Sequence, residues 1–355
     1  MKRLRSLIGA CLSGAVFAAC SSAVSPSVPA SGSPQAGASR SAAASAFGRS
    51  SNGNLYVANA RANTVTVYAP GSNSVLRTIS QGVNAPDALA LDGAGDLYIA
   101  NAGTNTVTVY AAGGSSTILT ISQGIKLPRA LALDASGNLF VASAGANTVT
   151  AYAPGSGSVM QTISQGINVP DALAFGRSGN LNVGNVYGNG YSAGTVTIYA
   201  PGGAKPTRTL TEGSAPVALL FDASGDLYVS NDAPICCYQN WVTVYSPKKK
   251  LLLTITKVHH PDALAFDGSE NLFVADNGGK YIHPVGQVTE YAPGSTSVVR
   301  TISAGVSHPV ALAFDSSQNL FVANANTVTV YTDDGNLERT ISQGVSNPRA
   351  LIFGP

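Results

Sequence analysis

The chain has four histidines, and all of them lie in its C-terminal half, near Asp262. Imidazole nitrogens and carboxylate oxygens together make ligand sets for divalent metal ions. The sequence therefore offers a candidate site for Ca²⁺, Mg²⁺ or Zn²⁺ near this aspartate. Its candidate ligands are Asp262, His260, His283, His308 and Asp276.

A second group of charged residues follows seven recurring prolines. The residues directly after them are, in order, Asp87, Arg129, Asp171, Val217, Asp262, Val310 and Arg349. If these positions meet at one point, Arg349, Asp87, Arg129 and Asp171 predict a belt of ion pairs. Asp262 instead has valines on both sides in this order, which leaves its carboxylate as a candidate metal ligand.

The elements that must position these residues form a repeat. One unit contains P-D-A-L-A-L-D at Pro86, D-L-Y-I-A-N at Asp96, N-T-V-T-V-Y at Asn105 and T-I-L-T-I-S at Thr117. The period-two alternation of Thr and Val predicts strands, and Gly, Pro, Asn and Asp fall between them. A four-stranded unit of about 40 to 50 residues is typical of a β-propeller blade.

Each segment type occurs seven times, but the array starts out of phase. It enters at a second segment, Asn54, and ends on an isolated first segment, Arg349–Phe353. We predict an all-β, seven-bladed propeller with four strands per blade, closed by strand 349–353 pairing with the N-terminal strands of residues 54–80. The aspartates that end most first segments should accept turn N–H groups and be structural. The Asn or Asp that ends most second segments should brace a loop.

In a propeller, the links between blades and the loops between second and third strands share one face. Three successive blades, at residues 170–303, have longer loops there than the earlier blades. These loops place aromatic side chains on one side of that face, and we predict a binding surface. Its candidate residues are Tyr187, Tyr191, Tyr238, Trp241 and Tyr281. The alternative is that these rings pack within their own loops.

Two adjacent cysteines, Cys236 and Cys237, lie in one of these loops. A disulfide between neighbours is strained, because it brings consecutive α-carbons closer than a relaxed bond prefers. The sequence leaves two states open, a vicinal disulfide and a pair of free or intermolecularly bonded thiols.

The N-terminal residues are predicted to be a targeting segment. Residues 1–19 have the layout of a signal peptide, and the sequence Val16 to Ser21 resembles the bacterial lipobox, which implies a lipid on Cys20. Residues 20–46 would be a disordered Ser/Ala/Pro/Gly tether and 47–355 the propeller. We expect an extracytoplasmic lipoprotein at the outer membrane or cell surface of a bacterium; the alternative is ordinary cleavage and a free product.

The composition of charged residues gives little support for binding to nucleic acid or to anionic lipid. The formal net charge is +2 and 11% of residues are charged, so we expect no binding to nucleic acid. The basic run Lys248–Lys250 lies in a turn, where solvation is favoured over contact with anionic lipid. We expect a monomer.

The phrases N-L-Y-V-A-N, N-T-V-T-V-Y and P-D-A-L-A-F-D resemble the NHL and YVTN classes of bacterial propeller repeat across nearly all of residues 47–355. P-D-A-L-A-F-D at Pro261 is also similar to a phrase of the gluconolactonase and senescence-marker propellers, which implies a metal ligand at Asp262. The resemblance to streptogramin lyases implies that His260 and His283 are analogues of catalytic residues. These loops contain no Glu that matches the catalytic Glu of those lyases; Glu290 lies on a third strand instead.

Two functions follow from the sequence. The first is a non-enzymatic binding or scaffold protein with a protein or small-molecule ligand, which the incomplete catalytic sets favour. The alternative is a metal-dependent lactonase or lyase at the channel mouth near Asp262.

Overall fold

The protein folds into seven four-stranded antiparallel sheets. The computed structural model describes residues 53–188, 193–212, 214–232, 240–278 and 286–355. Segments such as Thr-Val-Thr-Val-Tyr form strands because β-branched and aromatic side chains fit a pleated surface packed on both faces. The described residues contain no helix that is long and apolar enough to cross a membrane.

The strands follow the repeat. Blade 1 contains β1 (Asn54–Asn59), β2 (Thr64–Tyr68), β3 (Val75–Ile79) and the last strand, β28 (Pro348–Gly354). Blade 2 contains β4 (Pro86–Leu91), β5 (Leu97–Asn101), β6 (Thr106–Tyr110) and β7 (Thr117–Ile121). Blade 3 contains β8 (Pro128–Leu133), β9 (Leu139–Ser143), β10 (Thr148–Tyr152) and β11 (Val159–Ile163). Blade 4 contains β12 (Pro170–Phe175), β13 (Leu181–Asn185), β14 (Thr195–Tyr199) and β15 (Pro206–Thr211).

The remaining blades have the same order. Blade 5 contains β16 (Ala215–Phe221), β17 (Leu227–Asp232), β18 (Trp241–Tyr245) and β19 (Leu251–Ile255). Blade 6 contains β20 (Pro261–Phe266), β21 (Leu272–Asp276), β22 (Gln287–Tyr291) and β23 (Val298–Ile302). Blade 7 contains β24 (Ala311–Phe314), β25 (Leu320–Ala323), β26 (Val328–Tyr331) and β27 (Leu337–Ile341).

The predicted closure is confirmed. Strand β28 pairs antiparallel with β1, with Val57 opposite Leu351 and Leu55 opposite Phe353. The Phe353 ring packs edge-on against Phe321 of blade 7, with 4.9 Å between ring centroids. The first and last strands of the described chain thus complete one blade and join it to its neighbour.

The seven first strands contact one another in a ring, in the order β28, β4, β8, β12, β16, β20 and β24. The core consists of seven apolar clusters, each shared by two adjacent blades. Small side chains such as Ala88 and Ala130, both fully buried, allow the inner strands to approach the axis.

Regular hydrogen bonds join each blade to the linker that enters it. The Tyr that ends the third strand donates its hydroxyl to a linker carbonyl, as in Tyr199 to Gln165 at 2.6 Å. The Asn that ends the second strand accepts a linker N–H, as Asn101 does from Asn84 at 3.0 Å. The aspartates after the first strands accept turn N–H groups, as Asp92 does from Ala94 and Asp96. These observations confirm the structural roles predicted for both residue types.

We call the face that carries the linkers and the loops between second and third strands the upper face, and the opposite one the lower face. Two cavities, of about 20 and 490 Å³, open at the lower face. The first is bordered by Pro70 and Asp315, and the second by Asp267 and Asp333, all of which lie in or next to lower-face turns.

Candidate functional site

The charged residues of the inner ring meet at the upper end of the first strands. Arg129 lies between two aspartates, with its Nη1 atom 3.2 Å from Asp87 and its Nε atom 4.0 Å from Asp171. Both carboxylates are buried, and Arg349 is buried in β28, the strand next to β4 in the ring. These groups occupy the positions that the belt requires, and the Arg129 pairs form one part of it.

Asp262 lies at the start of β20 and is fully buried. Its Oδ2 atom accepts a hydrogen bond from the Asn277 side-chain amide at 2.5 Å. The ring neighbours are the buried Val217 and Val310, as the order of the repeats predicts. An amide donor is the partner that a carboxylate needs inside a protein, so Asn277 accounts for one of the oxygens without a metal ion.

Asp276 ends β21, where most other blades have Asn. Its Oδ1 atom accepts the His259 N–H at 2.5 Å, and its Oδ2 atom lies 3.4 Å from the Gln287 amide. Burial raises the pKa of Asp276 to about 7, against the weaker opposing effect of these hydrogen bonds. The residue therefore braces the linker as Asn does elsewhere, but it does so with an ionisable group.

The side chain of His260 bridges two blades. Its Nδ1 atom lies 2.7 Å from Asp232, at the end of β17 in blade 5, whereas His260 precedes β20 of blade 6. Asp232 and Asn277 were not predicted from the sequence. Their departure from the repeat is visible there, because most other blades have Ala at the corresponding position, for example Ala102 and Ala144.

The backbone at His260 has φ 53° and the one at His308 has φ 51°. This left-handed conformation is shared by the residue before Pro in the other blades, such as Ala85 and Leu127. It is thus a property of the repeat and not a mark of function. His308 is exposed, and its Nδ1 atom lies 3.3 Å from the neighbouring Ser307 hydroxyl.

Metal binding near Asp262 stays a prediction. Within the described residues, no three His, Cys, Asp or Glu side chains form a group that could hold a metal ion. The candidate ligand His283 lies outside the described residues. Also outside them lie Cys236 and Cys237, the predicted lipidation site Cys20, and Tyr191, Tyr238 and Tyr281.

Two of the predicted surface aromatics can be placed. Trp241 is half-buried at the first position of β18, opposite Asn231 of β17. The corresponding residue in the first four blades is Thr, as at Thr106. Tyr187 is half-buried just after β13 of blade 4. Both residues lie at the upper face of the blades with the longer loops.

No protein-family model and no curated protein matches the chain. Several solved structures do match it. Virginiamycin B lyase from Staphylococcus aureus is 12% identical over 76% of this chain and 88% of that one, with a TM-score of 0.62. A catalytically inactive variant of that lyase, solved with quinupristin, gives 12% identity over 73% and 85%, with a TM-score of 0.61. Kuenenia stuttgartiensis hydrazine synthase is 15% identical over 83% and 93%, with a TM-score of 0.64.

These likenesses support the seven-bladed propeller and reach no further than the fold, because their sequence identities are low. Propellers carry many unrelated activities on one architecture. Any argument about function therefore depends on the residues of the upper face themselves.

Proposed function

We propose that the chain is a non-enzymatic binding or scaffold protein that uses the upper face of blades 4 to 6 to recognise its partner. The observation that carries the proposal is where the repeat is broken. Asp232, Trp241, His260 and Asn277 all depart from the repeat, and all lie at this face in blades 5 and 6. Blades 2 and 3 keep nearly the same residues at the corresponding positions, which indicates that the fold does not require the departures.

The chemistry of this face suits recognition. Trp241 and Tyr187 offer rigid apolar area, and the partly exposed His260 is held by Asp232 at 2.7 Å. The acidic side chains beneath, Asp262 and Asp276, are buried and bonded to protein groups. Because hydrogen bonds already hold these groups in place, they lose less conformational entropy when a partner binds.

One observation favours the alternative, a metal-dependent lactonase or lyase. A carboxylate beside an imidazole can orient the ring for proton transfer, and Asp232 lies 2.7 Å from His260 Nδ1. The described residues, however, provide no group of three His, Cys, Asp or Glu side chains that could hold a metal ion. We therefore rank this function second.

Partner binding can be tested by restoring the repeat. The variant carries Asp232→Ala, Trp241→Thr and His260→Ala, which are residues of the regular blades. Purified wild type and variant would be used as baits in quantitative crosslinking with envelope extracts of the producing bacterium. Proteins captured by wild type, lost with this variant and retained with an Ile118→Ala control on an outer strand would support the proposal. Equal capture by all three baits would contradict it.

The same purified protein separates binding from catalysis. Elemental analysis after dialysis should find the same content of divalent metal in wild type and in Asp262→Asn. Stoichiometric metal that is lost in Asp262→Asn would move the assignment to the lactonase or lyase function.

We further propose export and membrane anchoring through Cys20. The support is the signal-like sequence before it and the lipobox resemblance. Cys20→Ser should move the protein from the membrane fraction to the soluble fraction and stop incorporation of labelled fatty acid. Unchanged membrane retention of Cys20→Ser, or a wild type that incorporates no label, would argue against anchoring through a lipid on Cys20.

A further inference from the structure

The linker into blade 5 differs from the regular linkers in length and in one charged residue. Between the fourth-strand Thr and the proline it has one residue fewer than most linkers, as does the linker into blade 6, and Glu212 stands where Gln81, Gln123 and Gln165 stand in other linkers. Those glutamine side chains are exposed, whereas Glu212 is only 5% exposed. The Glu212 side chain is therefore turned into the blade.

Glu212 replaces main-chain acceptors with a side chain. Its Oε2 atom accepts hydrogen bonds from Thr243 Oγ1 at 2.6 Å and Asn231 Nδ2 at 3.3 Å. In blade 3, the corresponding Thr150 donates instead to the Gly124 carbonyl. The Glu212 carboxyl is also a cause of the raised pKa of Tyr245, after burial. The carboxylate therefore takes over the role of the linker backbone.

Three buried oxygen atoms remain at this end of blade 5 without a hydrogen-bond partner among the described residues. They are Glu212 Oε1, Asn231 Oδ1 and Ser214 Oγ. The Asn231 oxygen corresponds to the one that Asn101 uses to accept a linker N–H in blade 2. In blade 5, no linker N–H among the described residues bonds to this oxygen.

The local backbone holds these residues close together. The Glu212 N–H donates to the Gly194 carbonyl at 3.0 Å, and a Cβ atom at Gly194 would overlap the Ser214 carbonyl oxygen. Asn231 is opposite Pro216 in the pairing of β16 with β17, so it lies at the same end of the blade as Ser214. The oxygens thus belong to side chains packed beneath the upper-face loops.

The charge of this cluster is not balanced by protein groups. Glu212 forms no ion pair with a described residue. A carboxylate inside a protein needs a proton or a cation, because desolvating an isolated charge is costly. Acceptor oxygens from a carboxylate, an amide and a hydroxyl are the donor set that hard cations prefer.

We propose that Glu212, Asn231 and Ser214 form a binding site for a hard metal cation such as Ca²⁺. Water would complete the coordination, which for Ca²⁺ comprises about six to eight oxygens. The site is separate from the candidate ligands around Asp262 and does not depend on the function proposed above. Its effect would be to fasten the linker between blades 4 and 5 beneath the recognition loops.

The test is thermal unfolding of the purified full-length chain at pH 8, after chelation, with and without CaCl₂ at matched ionic strength. At about 100 times Kd, Ca²⁺ should raise Tm of the wild type by about 5 °C. Glu212→Gln should lose this shift, because an amide keeps the shape but not the charge. Ser214→Ala should reduce it, and calorimetry should show the corresponding weakening of Ca²⁺ binding.

Two controls address location. Asp262→Asn should retain the Ca²⁺ shift, which distinguishes this site from the one considered near the channel mouth. Gln165→Glu places a carboxylate at the exposed equivalent position in blade 4 and should gain no additional Ca²⁺ dependence. If Ca²⁺ shifts the Tm of neither wild type nor Glu212→Gln, the proposal is wrong. The same holds if the shift is lost only in Asp262→Asn.

Discussion

The linkers into blades 3 and 5 make the same connection with different chemistry. In blade 3, Tyr152 and Thr150 donate to the main-chain carbonyls of Gln123 and Gly124. In blade 5, Thr243 donates to the Glu212 carboxylate at 2.6 Å. A backbone acceptor is present whatever the side chain, so the regular linkers tolerate substitution, whereas blade 5 depends on a single residue. Blade 5 should therefore be more sensitive to substitution in its linker than the regular blades.

The largest expected effect concerns blade 1, which the C-terminal strand β28 completes. Deleting residues 348–355 removes β28, which exposes the edge of β1 and the apolar cluster around Leu351. We expect soluble yield to collapse, because an open edge promotes aggregation and the core loses a strand. Deleting Pro355 alone, which removes only the carbonyl bonded by Tyr56, is the control and should retain most of the yield. An unchanged Tm after the longer deletion would rule out this closure.

The second expected effect restores a regular residue in blade 6. Asp276→Asn should stabilise the protein at neutral and alkaline pH, by at most about 4 kcal/mol for a pKa moved from 3.8 to about 7. An Asn can also donate to the buried Thr289 hydroxyl, which has no described partner, as Asn101 does to Thr108 at 3.0 Å.

The raised pKa of Asp276 also determines in which direction stability changes with pH. The raised pKa of Asp276 stabilises the folded state fully below about pH 4, and this contribution is lost as pH rises through about 7. Denaturant unfolding of wild type and Asp276→Asn should therefore diverge between pH 4 and pH 8. Parallel curves across that range would show that the carboxyl has an ordinary pKa.

The third prediction compares the two linkers directly. Thr243→Val removes a hydrogen bond to a buried carboxylate and should cost about 1.5–3 kcal/mol, whereas Thr150→Val removes one to a carbonyl at 3.3 Å and should cost about 0.5–1.5 kcal/mol. Denaturant midpoints at pH 8 would measure both. Equal costs would mean that Glu212 is neutral in the folded protein.

Most of the fold could be predicted from the sequence, because each type of strand segment occurs seven times. The post-proline residues reach the inner ring as expected, since the position of Asp87 or Asp262 follows from the blade register alone. Strand ends were less accurate: the closing strand runs from Pro348 to Gly354, one residue longer at each end than predicted.

The contacts of the site could not be predicted in the same way. Asn277 and Asp232 were missed because their partners, Asp262 and His260, come from other strands or another blade, and periodicity carries no information about side-chain direction across blades. Glu212 was missed because it aligns with exposed linker glutamines, and the repeat pattern does not show that its side chain turns into the blade.

The smallest effect tests whether the regular pattern itself is stabilising. Blade 4 has Gly176 where blades 2 and 3 have Asp92 and Asp134, and the latter accept two turn N–H groups each. Gly176→Asp should therefore stabilise by about 0.5–1.5 kcal/mol. Space is available, since a Cβ atom there would lie 3.4 Å from the Phe221 ring and 3.8 Å from the Asn182 amide. Gly176→Ala separates the gain due to reduced chain entropy, about 0.4–1 kcal/mol, from that of the carboxylate. If both variants unfold at the same denaturant concentration, the turn aspartates add no stability beyond their backbone conformation.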